Sequence, residues 1–504
     1  MRSLRLLPLF LLVACVTERG PLTNRMAQMS TTYLTRAARQ PVSWQPWGRE
    51  AFALAARLDR PVLLYVGAED CRWCALMDRE AYADATLGAL IDSLFVPVRL
   101  DRDERPDVAQ RYEAAVQSLA GLRGYPLTVF LTPDGAPFFG GTYFPADDPV
   151  TGRGLKQILP DIARSFRDQR QFILQHAAVV RQLAITKAGT THGVLSGDAV
   201  GRGIDSVRLA VVELARRPPA GALVPTQAVA LLLTDFALAA DTAALDAARA
   251  ALDALLDSAG PPAVAAADVP PALVRAGLAR DLAVAWVLTA EPRYRDAATI
   301  ELRALIRALG GDDRRPLFAD REAYAIAGAL EAAAALGDFA AQTRVLAALD
   351  SLLKRVYAHG FGVRHAVAGS VHGLLQDQVQ VAAASIAAYN ATGKPRYLEV
   401  AKNLAAVLER DFADPQGGYF DAAEVADASA PALTDRTKQV LDDLLPGANA
   451  AAARVLLRLA AVTGEPGYRR RARATLEAFA GGVDGAGLRA ATFLAAGREA
   501  LLTH

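Results

Sequence analysis

Two cysteines separated by two residues are the side chains in this sequence best suited to covalent chemistry. Cys71 and Cys74 enclose Arg72 and Trp73, a few residues after a short apolar run. This order predicts a buried strand, a turn and a helix that begins at the cysteines, where unpaired backbone N–H groups and the helix dipole stabilise a thiolate. We therefore predict thiol-disulfide exchange, with Cys71 as the more exposed, nucleophilic thiol and Cys74 as the resolving thiol. A plain structural disulfide is the alternative.

The residues around the cysteines are expected to modulate this site. Arg72 adds a permanent positive charge, which should stabilise the reduced thiolate and raise the reduction potential. Trp73, Trp44 and Trp47 either shape a substrate rim or belong to the core. A zinc site is not expected, because there is no second pair of this kind and the nearest histidine is His176. The sequence predicts no metal and no cofactor.

The first residues have the pattern of a bacterial lipoprotein signal. Two arginines precede the apolar run Leu6–Ala14, and Cys15 follows it directly. We predict a signal peptide over residues 1–14 and lipidation of Cys15; an ordinary secretory signal beside a chance cysteine is the alternative. The predicted location is the cell envelope, facing the periplasm. Val16, in place of the aspartate associated with inner-membrane retention, favours the outer membrane.

Composition narrows the set of partners. Lipidation of Cys15 would leave Cys71 and Cys74 as the only thiols, because the chain has 3 cysteines. In an oxidising compartment they pair with each other or with a partner, so envelope protein thiols or disulfides are the expected partners. The membrane is contacted through the lipid on Cys15. With 55 Lys+Arg against 54 Asp+Glu, the chain has no basic field for nucleic acid.

The 504 residues predict more than one domain. Residues 15–40 lack periodicity and are predicted to be a flexible tether. Residues 41–185 alternate between helical and strand patterns in the order of a thioredoxin-like α/β domain, closed by one long helix from Leu155 to about Leu183. Residues 195–504 are Ala/Leu-rich helical segments with short Gly/Pro/Asp loops, which predict an all-α domain.

A degenerate repeat marks the helical half. It reads Thr-X-X-Pro-X-Tyr at Thr289–Tyr294, Thr392–Tyr397 and Thr463–Tyr468, each time between two helical segments. Such a repeat predicts an array of helical hairpins. The array either stays open as a solenoid or closes into a toroid.

Several blocks of the sequence resemble the spermatogenesis-associated thioredoxin-domain family. These blocks are Pro41–Gly48, Cys71–Cys74, Asp101–Asp107, Gly124–Gly135 and Phe139–Pro145. The resemblance implies a thioredoxin-like domain followed by a six-hairpin, glycosidase-like (α/α)6 toroid, and so a closed helical array. It further implies that Tyr125 and Pro126 form the cis-proline loop that faces the cysteines and binds the substrate backbone. Arg72 and Ala75 stand where the family usually has histidines.

The resemblance also bears on charged residues. The run Asp101–Asp107 is either a solvated face or, as the family pattern implies, an ion-pair network that holds the loop under the active site. In the helical half, toroids of the glycosidase type use carboxylates as acid and base. The carboxylate candidates are Asp320, Glu322, Asp377, Asp442 and Asp443. Asp377 and Asn449 match family segments.

The role of the helical half stays open at this level. Sugar sites favour aromatic platforms, and Trp286 is the only tryptophan after residue 181. We therefore expect the toroid to act as a binding or scaffold module. A carbohydrate-active or carbohydrate-binding toroid with a saccharide ligand and a vestigial thioredoxin-like domain is the alternative, and a pure interaction protein is the third. His359, His365 and His372 are expected to be solvated.

Overall fold

The computed structural model describes residues 22–148, 150, 152–187, 189–217, 225–257, 270–309, 317–367, 371–424 and 434–502. The predicted signal peptide and Cys15 lie outside these residues. Within them, no helix combines the length and the apolar character needed to cross a bilayer.

The N-terminal domain is built on a five-stranded sheet with the order β1-β3-β2-β4-β5. The strands are β1 (Gln45–Pro46), β2 (Val62–Gly67), β3 (Val96–Asp101), β4 (Leu127–Leu131) and β5 (Pro137–Gly141). β1, β3 and β2 are parallel to one another. β4 is antiparallel to β2, and β5 is antiparallel to β4. The central strand β2 is buried along its whole length, as its continuous apolar sequence predicts.

Helices cover both faces of this sheet. They are α1 (Thr32–Arg36), α2 (Arg49–Leu58), α3 (Arg72–Glu80), α4 (Ala85–Leu94), α5 (Pro106–Ala120), α6 (Leu155–Asp168) and α7 (Arg170–Lys187). Side chains alternate along β2, so that Leu63 and Tyr65 enter one apolar core and Leu64 and Val66 enter the other. The predicted single closing helix is two helices, separated at Gln169.

The tether predicted over residues 15–40 is wrong for residues 22–40, which are part of the N-terminal domain. α1 lies in this segment, and Met26, Tyr33 and Leu34 are buried in the core. Asn24 donates to the backbone carbonyls of Ala37 and Val42 and so closes the segment on itself. The sequence did not indicate that this segment is folded, because its apolar residues follow no helical or strand period and are buried by tertiary contacts.

The second domain is a closed ring of helical hairpins. Its helices are α8 (Gly197–Arg216), α9 (Thr226–Ala239), α10 (Thr242–Asp257), α11 (Pro271–Thr289), α12 (Pro292–Ala308), α13 (Ala319–Leu336), α14 (Phe339–Val356), α15 (Leu375–Thr392), α16 (Pro395–Val407), α17 (Ala448–Thr463), α18 (Pro466–Glu477) and α19 (Ala491–Leu502). The odd-numbered helices from α9 to α19 pack each against the next, and α19 packs back against α9. The even-numbered helices lie outside them, which confirms the α/α toroid. A small hairpin, β6 (Tyr357–Ala358) and β7 (Gly362–Val363), follows α14.

The repeat is the turn between an inner helix and the next outer helix. In each copy the threonine hydroxyl donates to the carbonyl four residues earlier, and the backbone N–H two residues later donates to that hydroxyl. The proline occupies the first turn of the outer helix, where its missing N–H costs no hydrogen bond. Tyr294, Tyr397 and Tyr468 are buried against the core.

Candidate active site

The two cysteines lie at the N-terminus of α3, directly after the carboxyl end of β2, and form a disulfide. Cys71 is the N-cap residue of this helix. Its Sγ accepts a hydrogen bond from the backbone N–H of Cys74 at 3.1 Å. The helix end therefore offers a donor to the sulfur that thiol-disulfide exchange would leave as a thiolate.

Both cysteines are buried, and Cys71, predicted to be the more exposed of the two, is covered almost as completely as Cys74. Cys71 is 1% exposed and Cys74 is 0% exposed. The two sulfur-bearing side chains form a small apolar cluster with Ala68, and Tyr125 packs against it. The difference arises because the Tyr125 ring comes from a distant part of the chain and covers a helix end that local sequence would leave open.

The Tyr125-Pro126 peptide bond is cis, as the family resemblance implies. Tyr125 contacts the cysteine cluster and also lines a cavity between the two domains. The guanidinium of Arg102 lies 5.0 Å from the centre of its ring. Tyr125 therefore connects the disulfide with the loop that follows β3.

Of the three tryptophans near the cysteine pair, one forms a surface rim. Trp73 is 46% exposed and meets the Tyr143 ring edge to face, with centroids 5.5 Å apart. The Arg72 guanidinium lies 5.8 Å from the Trp73 ring centre. Trp44 is fully buried, and Trp47 packs in the opposite core, so both have the core role that was the alternative.

A buried cation lies behind the disulfide, on β3. Arg99 is 1% exposed and forms two 2.7 Å hydrogen bonds with the carboxylate of Asp78, which belongs to the cysteine-bearing helix α3. Its guanidinium also lies within 4.2 to 5.7 Å of the ring centres of Tyr33, Trp44 and Tyr65. We call this group the Arg99 cage.

The Arg99 cage was not predicted from the sequence. The signal for it was a charged residue in the middle of an otherwise apolar strand. A buried arginine requires a partner, and pairing by a carboxylate and three aromatic rings satisfies that requirement.

The Asp101–Asp107 run is the ion-pair network that the resemblance implied, and it also joins the domains. The backbone N–H of Asp103 donates to Asp101 at 2.8 Å, and Arg102 Nε donates to Asp103 at 2.9 Å. From the toroid, Arg321 on α13 pairs with the same Asp103 carboxylate. Burial, together with the neighbouring Asp103 charge, raises the pKa of Asp101 to about 7.

A histidine of the toroid completes this contact. His365 Nε2 lies 2.8 Å from the backbone oxygen of Asp103, and its Nδ1 lies 2.9 Å from an Asp377 carboxylate oxygen. That oxygen also accepts the backbone N–H of Asp320 at 3.1 Å. His365 is fully buried, so the expectation that it is solvated is wrong. The interface shields it from water.

The group formed by Asp320, His365 and Asp377 is compact enough to hold a metal ion, but its hydrogen bonds favour a protonated histidine instead. Ligand atoms of Asp320, His365 and Asp377 lie within 4.8 Å of one another. A histidine ligand must offer a lone pair, whereas both nitrogens of His365 face acceptor oxygens. Burial lowers the pKa of His365, but the Asp377 carboxylate outweighs burial and raises it to about 10. The group is best described as a protonated imidazole that links the two domains.

A second contact ties the domains together further along α5 and α7. Arg181 Nε donates to the Asp435 carboxylate at 2.7 Å, and Arg111 Nη1 donates to the Asp435 backbone oxygen at 3.1 Å. Asp435 belongs to the loop before α17. These bonds hold the cysteine-bearing domain against one open end of the toroid. This end, where α13, α15 and α17 begin, is called the mouth of the toroid.

A cavity of about 80 Å³ lies at this mouth. Arg102 and Tyr125 line it from the N-terminal domain, and Asp320, Asp421 and Asp443 line it from the toroid. Burial raises the pKa of Asp421 to about 6. Because Tyr125 also touches the cysteine cluster, the cavity adjoins the disulfide.

The toroid residues that matched family segments have structural partners. Asp377 binds His365, as described above. Asn449 is buried, and its amide accepts from the backbone N–H of Tyr419 and donates to the oxygens of Tyr419 and Gln439. Asp442 accepts the backbone N–H groups of Gly447 and Thr492. Glu322 is half-buried on α13 and is not among the residues that line the cavity.

The fold and the site together define a two-domain protein in which a thioredoxin-like domain with a buried cysteine pair is docked on the mouth of an α/α toroid. A family model described as "Protein of unknown function, DUF255" matches residues 23–184. Residues 23–184, which form the thioredoxin-like domain, are thus similar to this family. The match begins at residue 23, which agrees with the packing of residues 22–40 in the domain core.

Curated relatives are similar over the same part of the chain. Human spermatogenesis-associated protein 20 is 36% identical over 170 residues, which are 34% of this chain and 22% of the human protein. An uncharacterized protein of Caenorhabditis elegans is 38% identical over 160 residues, or 32% of this chain and 22% of that protein. The chain thus spans about a fifth of the length of the curated relatives it matches.

Solved structures overlap with the helical part at low similarity. An unsaturated glucuronyl hydrolase specific for heparin covers 56% of this chain and 84% of its own, with 11% identity and a TM-score of 0.43. A D-mannose isomerase covers 57% of this chain and 87% of its own, with 10% identity and a TM-score of 0.43. The closure of the ring rests on the helix contacts given above, and these overlaps carry no information on activity.

Proposed function

We propose that this protein carries out thiol-disulfide exchange at Cys71 and Cys74. The observation that carries the proposal is the disulfide at the N-terminus of α3, where Cys71 is the N-cap residue and Tyr125 packs against the cysteine pair. A structural disulfide across two residues stabilises a fold little, because it closes a very short loop.

The exchange runs in two balanced steps. A thiolate of the partner attacks Cys71 Sγ, the bond between the cysteines breaks, and its electron pair remains on Cys74 Sγ. In the second step, another thiolate of the partner attacks the partner sulfur that is bonded to Cys71. This forms a disulfide within the partner and releases Cys71 as a thiolate. The partner dithiol is oxidised to a disulfide and the protein disulfide is reduced; the reverse sequence reduces a partner disulfide.

Access to the sulfur limits this reaction. Cys71 is 1% exposed, and Tyr125 packs against the cysteine cluster. A small thiol such as glutathione therefore needs only a local displacement of the Tyr125 ring. A folded protein partner needs the Tyr125-Pro126 loop to pair with its extended backbone, as the family resemblance implies.

Trapping of the mixed disulfide tests the proposal. The purified full chain with Cys74→Ser is mixed with oxidised glutathione, and we expect a glutathione adduct on Cys71 that intact-mass spectrometry detects. The matched control is Cys71→Ser, and both variants also carry Cys15→Ser so that one thiol remains in each; adduct formation on Cys74 should be at least about tenfold slower. Equal rates in the two variants, or no adduct in either, would contradict the proposed roles.

We propose that the toroid acts as a binding or scaffold module that presents a partner to the cysteine pair. Support comes from its carboxylates, because Asp377, Asp421 and Asp442 are engaged in hydrogen bonds within the fold. A saccharide ligand of the toroid is the competing proposal. Calorimetric titration of the full chain with a panel of neutral and acidic oligosaccharides distinguishes the two, since the scaffold role predicts no saturable heat.

We further propose that the protein is a lipoprotein of the bacterial envelope, anchored through Cys15 and facing the periplasm, with the outer membrane favoured. The support is the sequence pattern of residues 1–15. The expected partners are thiols or disulfides of envelope proteins. Fractionation of cells that express the full chain should place it with membranes, whereas Cys15→Ser should release it; an unchanged distribution contradicts the anchor.

A further inference from the structure

The segment before β1 brings a phenol to the buried side of the cysteine pair. Tyr33 lies on α1 and is 2% exposed. A methyl group placed on Gly67, at the end of β2, would overlap the Tyr33 hydroxyl oxygen and would lie 3.0 Å from Cys74 Sγ. The hydroxyl and the sulfur therefore border the same small space, which is open because residue 67 is a glycine.

The Tyr33 hydroxyl lacks a hydrogen-bond partner among the described residues. A buried tyrosine hydroxyl normally has one, and a buried donor left unsatisfied destabilises the state that contains it. The described state is the disulfide form, in which Cys74 Sγ carries no charge. The oxidised protein thus keeps an unsatisfied donor beside a sulfur that becomes a charged, much stronger acceptor on reduction.

The surroundings favour the hydroxyl as a donor. The Arg99 guanidinium lies 4.2 Å from the centre of the Tyr33 ring, where its charge draws electron density away from the phenol oxygen. Burial raises the pKa of Tyr33 well above its ordinary value, against the opposing influence of Arg99, so the proton stays on the oxygen at neutral pH.

We propose that Tyr33 donates a hydrogen bond to the Cys74 thiolate when the disulfide opens, and thereby sets the reduction potential of the pair. This inference rests on the proposed thiol-disulfide exchange. When a partner thiolate attacks Cys71 Sγ, the electron pair of the broken bond passes to Cys74 Sγ. The phenol O–H then meets a charged acceptor, so the leaving sulfur is stabilised and the unsatisfied donor disappears.

The variant Tyr33→Phe tests this directly in the full chain. Reduction should become less favourable, because the variant loses the bond in the reduced state and loses the unsatisfied donor in the oxidised state. We expect the equilibrium constant for reduction by glutathione to fall about tenfold, which for a two-electron couple is a potential about 30 mV more negative. The oxidised variant should resist heat at least as well as the unsubstituted protein.

A thiolate titration gives a second readout. In a background of Cys15→Ser and Cys71→Ser, absorbance at 240 nm follows ionisation of Cys74, the thiol that remains. Adding Tyr33→Phe should raise the pKa of Cys74 by about one pH unit, the equivalent of a tenfold change.

Tyr65→Phe is the matched control. Tyr65 is also fully buried in the Arg99 cage, but its hydroxyl donates to the backbone oxygen of Cys74 at 3.3 Å. Its removal should lower stability and leave the potential within a twofold change in the equilibrium constant. Equal shifts in both variants, or no shift in Tyr33→Phe, overturn the role of Tyr33. If the unsubstituted protein itself shows no reversible transition, the proposed exchange fails instead.

Discussion

The thioredoxin-like domain and the toroid both bury polar groups near their shared boundary, but the two sets of groups are bonded differently. At the toroid mouth, the side chains of His365, Asp377 and Asn449 have hydrogen-bond partners within the fold. Beside the disulfide, the Tyr33 hydroxyl has no hydrogen-bond partner among the described residues. An unsatisfied buried donor destabilises the state that contains it, and this donor borders the sulfur of Cys74.

The largest expected effect comes from the Arg99 cage. Arg99→Met leaves the Asp78 carboxylate, 16% exposed, without its cation. We expect the free energy of unfolding of the N-terminal domain to fall by about 3 to 5 kcal/mol. Urea denaturation followed by tryptophan fluorescence measures this, because Trp44, Trp47 and Trp73 lie in that domain and only Trp286 lies outside it.

The control for this variant is Arg153→Met. Arg153 pairs with Asp161 on the surface, and both side chains are about half exposed or more. A solvated pair contributes little, so the denaturation midpoint should stay unchanged. A loss as large as that of Arg99→Met would show that the cage has no special role.

Asp377→Asn separates a structural carboxylate from a catalytic one. The amide keeps an acceptor for the Asp320 N–H but removes the charge that holds the His365 proton. We expect the free energy of unfolding, measured by thermal denaturation, to fall by about 2 to 3 kcal/mol. The reduction potential should stay unchanged. Asp443→Asn, which alters a carboxylate that lines the cavity at the toroid mouth, is the control and should change neither.

One result for Asp377→Asn would contradict a structural role of this carboxylate. A glycoside hydrolase activity present in the unsubstituted chain and lost in this variant without loss of stability would make the toroid the enzyme. The interpretation of Asp377 as the partner of His365 would then be wrong.

The domain contact should depend on pH through His365. Its pKa rises from 6.5 to about 10 on folding, so the folded state holds a proton that the unfolded state releases between these values. The stabilisation is complete below pH 6.5 and is lost as the pH rises toward 10, with a slope of at most about 1.4 kcal/mol per pH unit. Urea midpoints across this range, compared with those of His365→Gln, isolate the slope; parallel curves would contradict it.

The smallest effect concerns the repeat turns. Thr392→Val removes both hydrogen bonds of its hydroxyl, to Ala388 and from Lys394. We expect a loss of about 1 kcal/mol in thermal denaturation. Thr392→Ser keeps the hydroxyl and should retain most of the stability, and indistinguishable Val and Ser variants would show that the hydroxyl is not the reason for the repeat.

Local sequence patterns were sufficient for most of the fold. The apolar runs that became β2, β3 and β4 are buried strands, the cysteines begin a helix, and the Ala/Leu-rich half forms helical hairpins. These features are encoded within a few residues of one another. Closure of the ring was available only through resemblance, because the packing of α19 against α9 joins segments more than 250 residues apart in the sequence.

The features that sequence did not predict depend on contacts between distant segments. Tyr33 borders Cys74 from a segment with no periodicity, Arg99 on β3 pairs with Asp78 on α3, and His365 contacts the backbone of Asp103 in the other domain. For Arg99, the residue type alone indicated that a partner must exist, because a charged residue in an apolar strand needs one. The identity of that partner is a property of the tertiary fold.

The measurement that tests the central claim most directly is the reduction potential of the Cys71 and Cys74 pair in the full chain, equilibrated against glutathione buffers. We predict a reversible two-electron transition that Cys71→Ser abolishes. A value at or above roughly −200 mV would indicate an oxidant or isomerase and one near roughly −270 mV a reductant. A pair that shows no reversible transition at any buffer ratio would contradict the account and leave the disulfide as a structural bond.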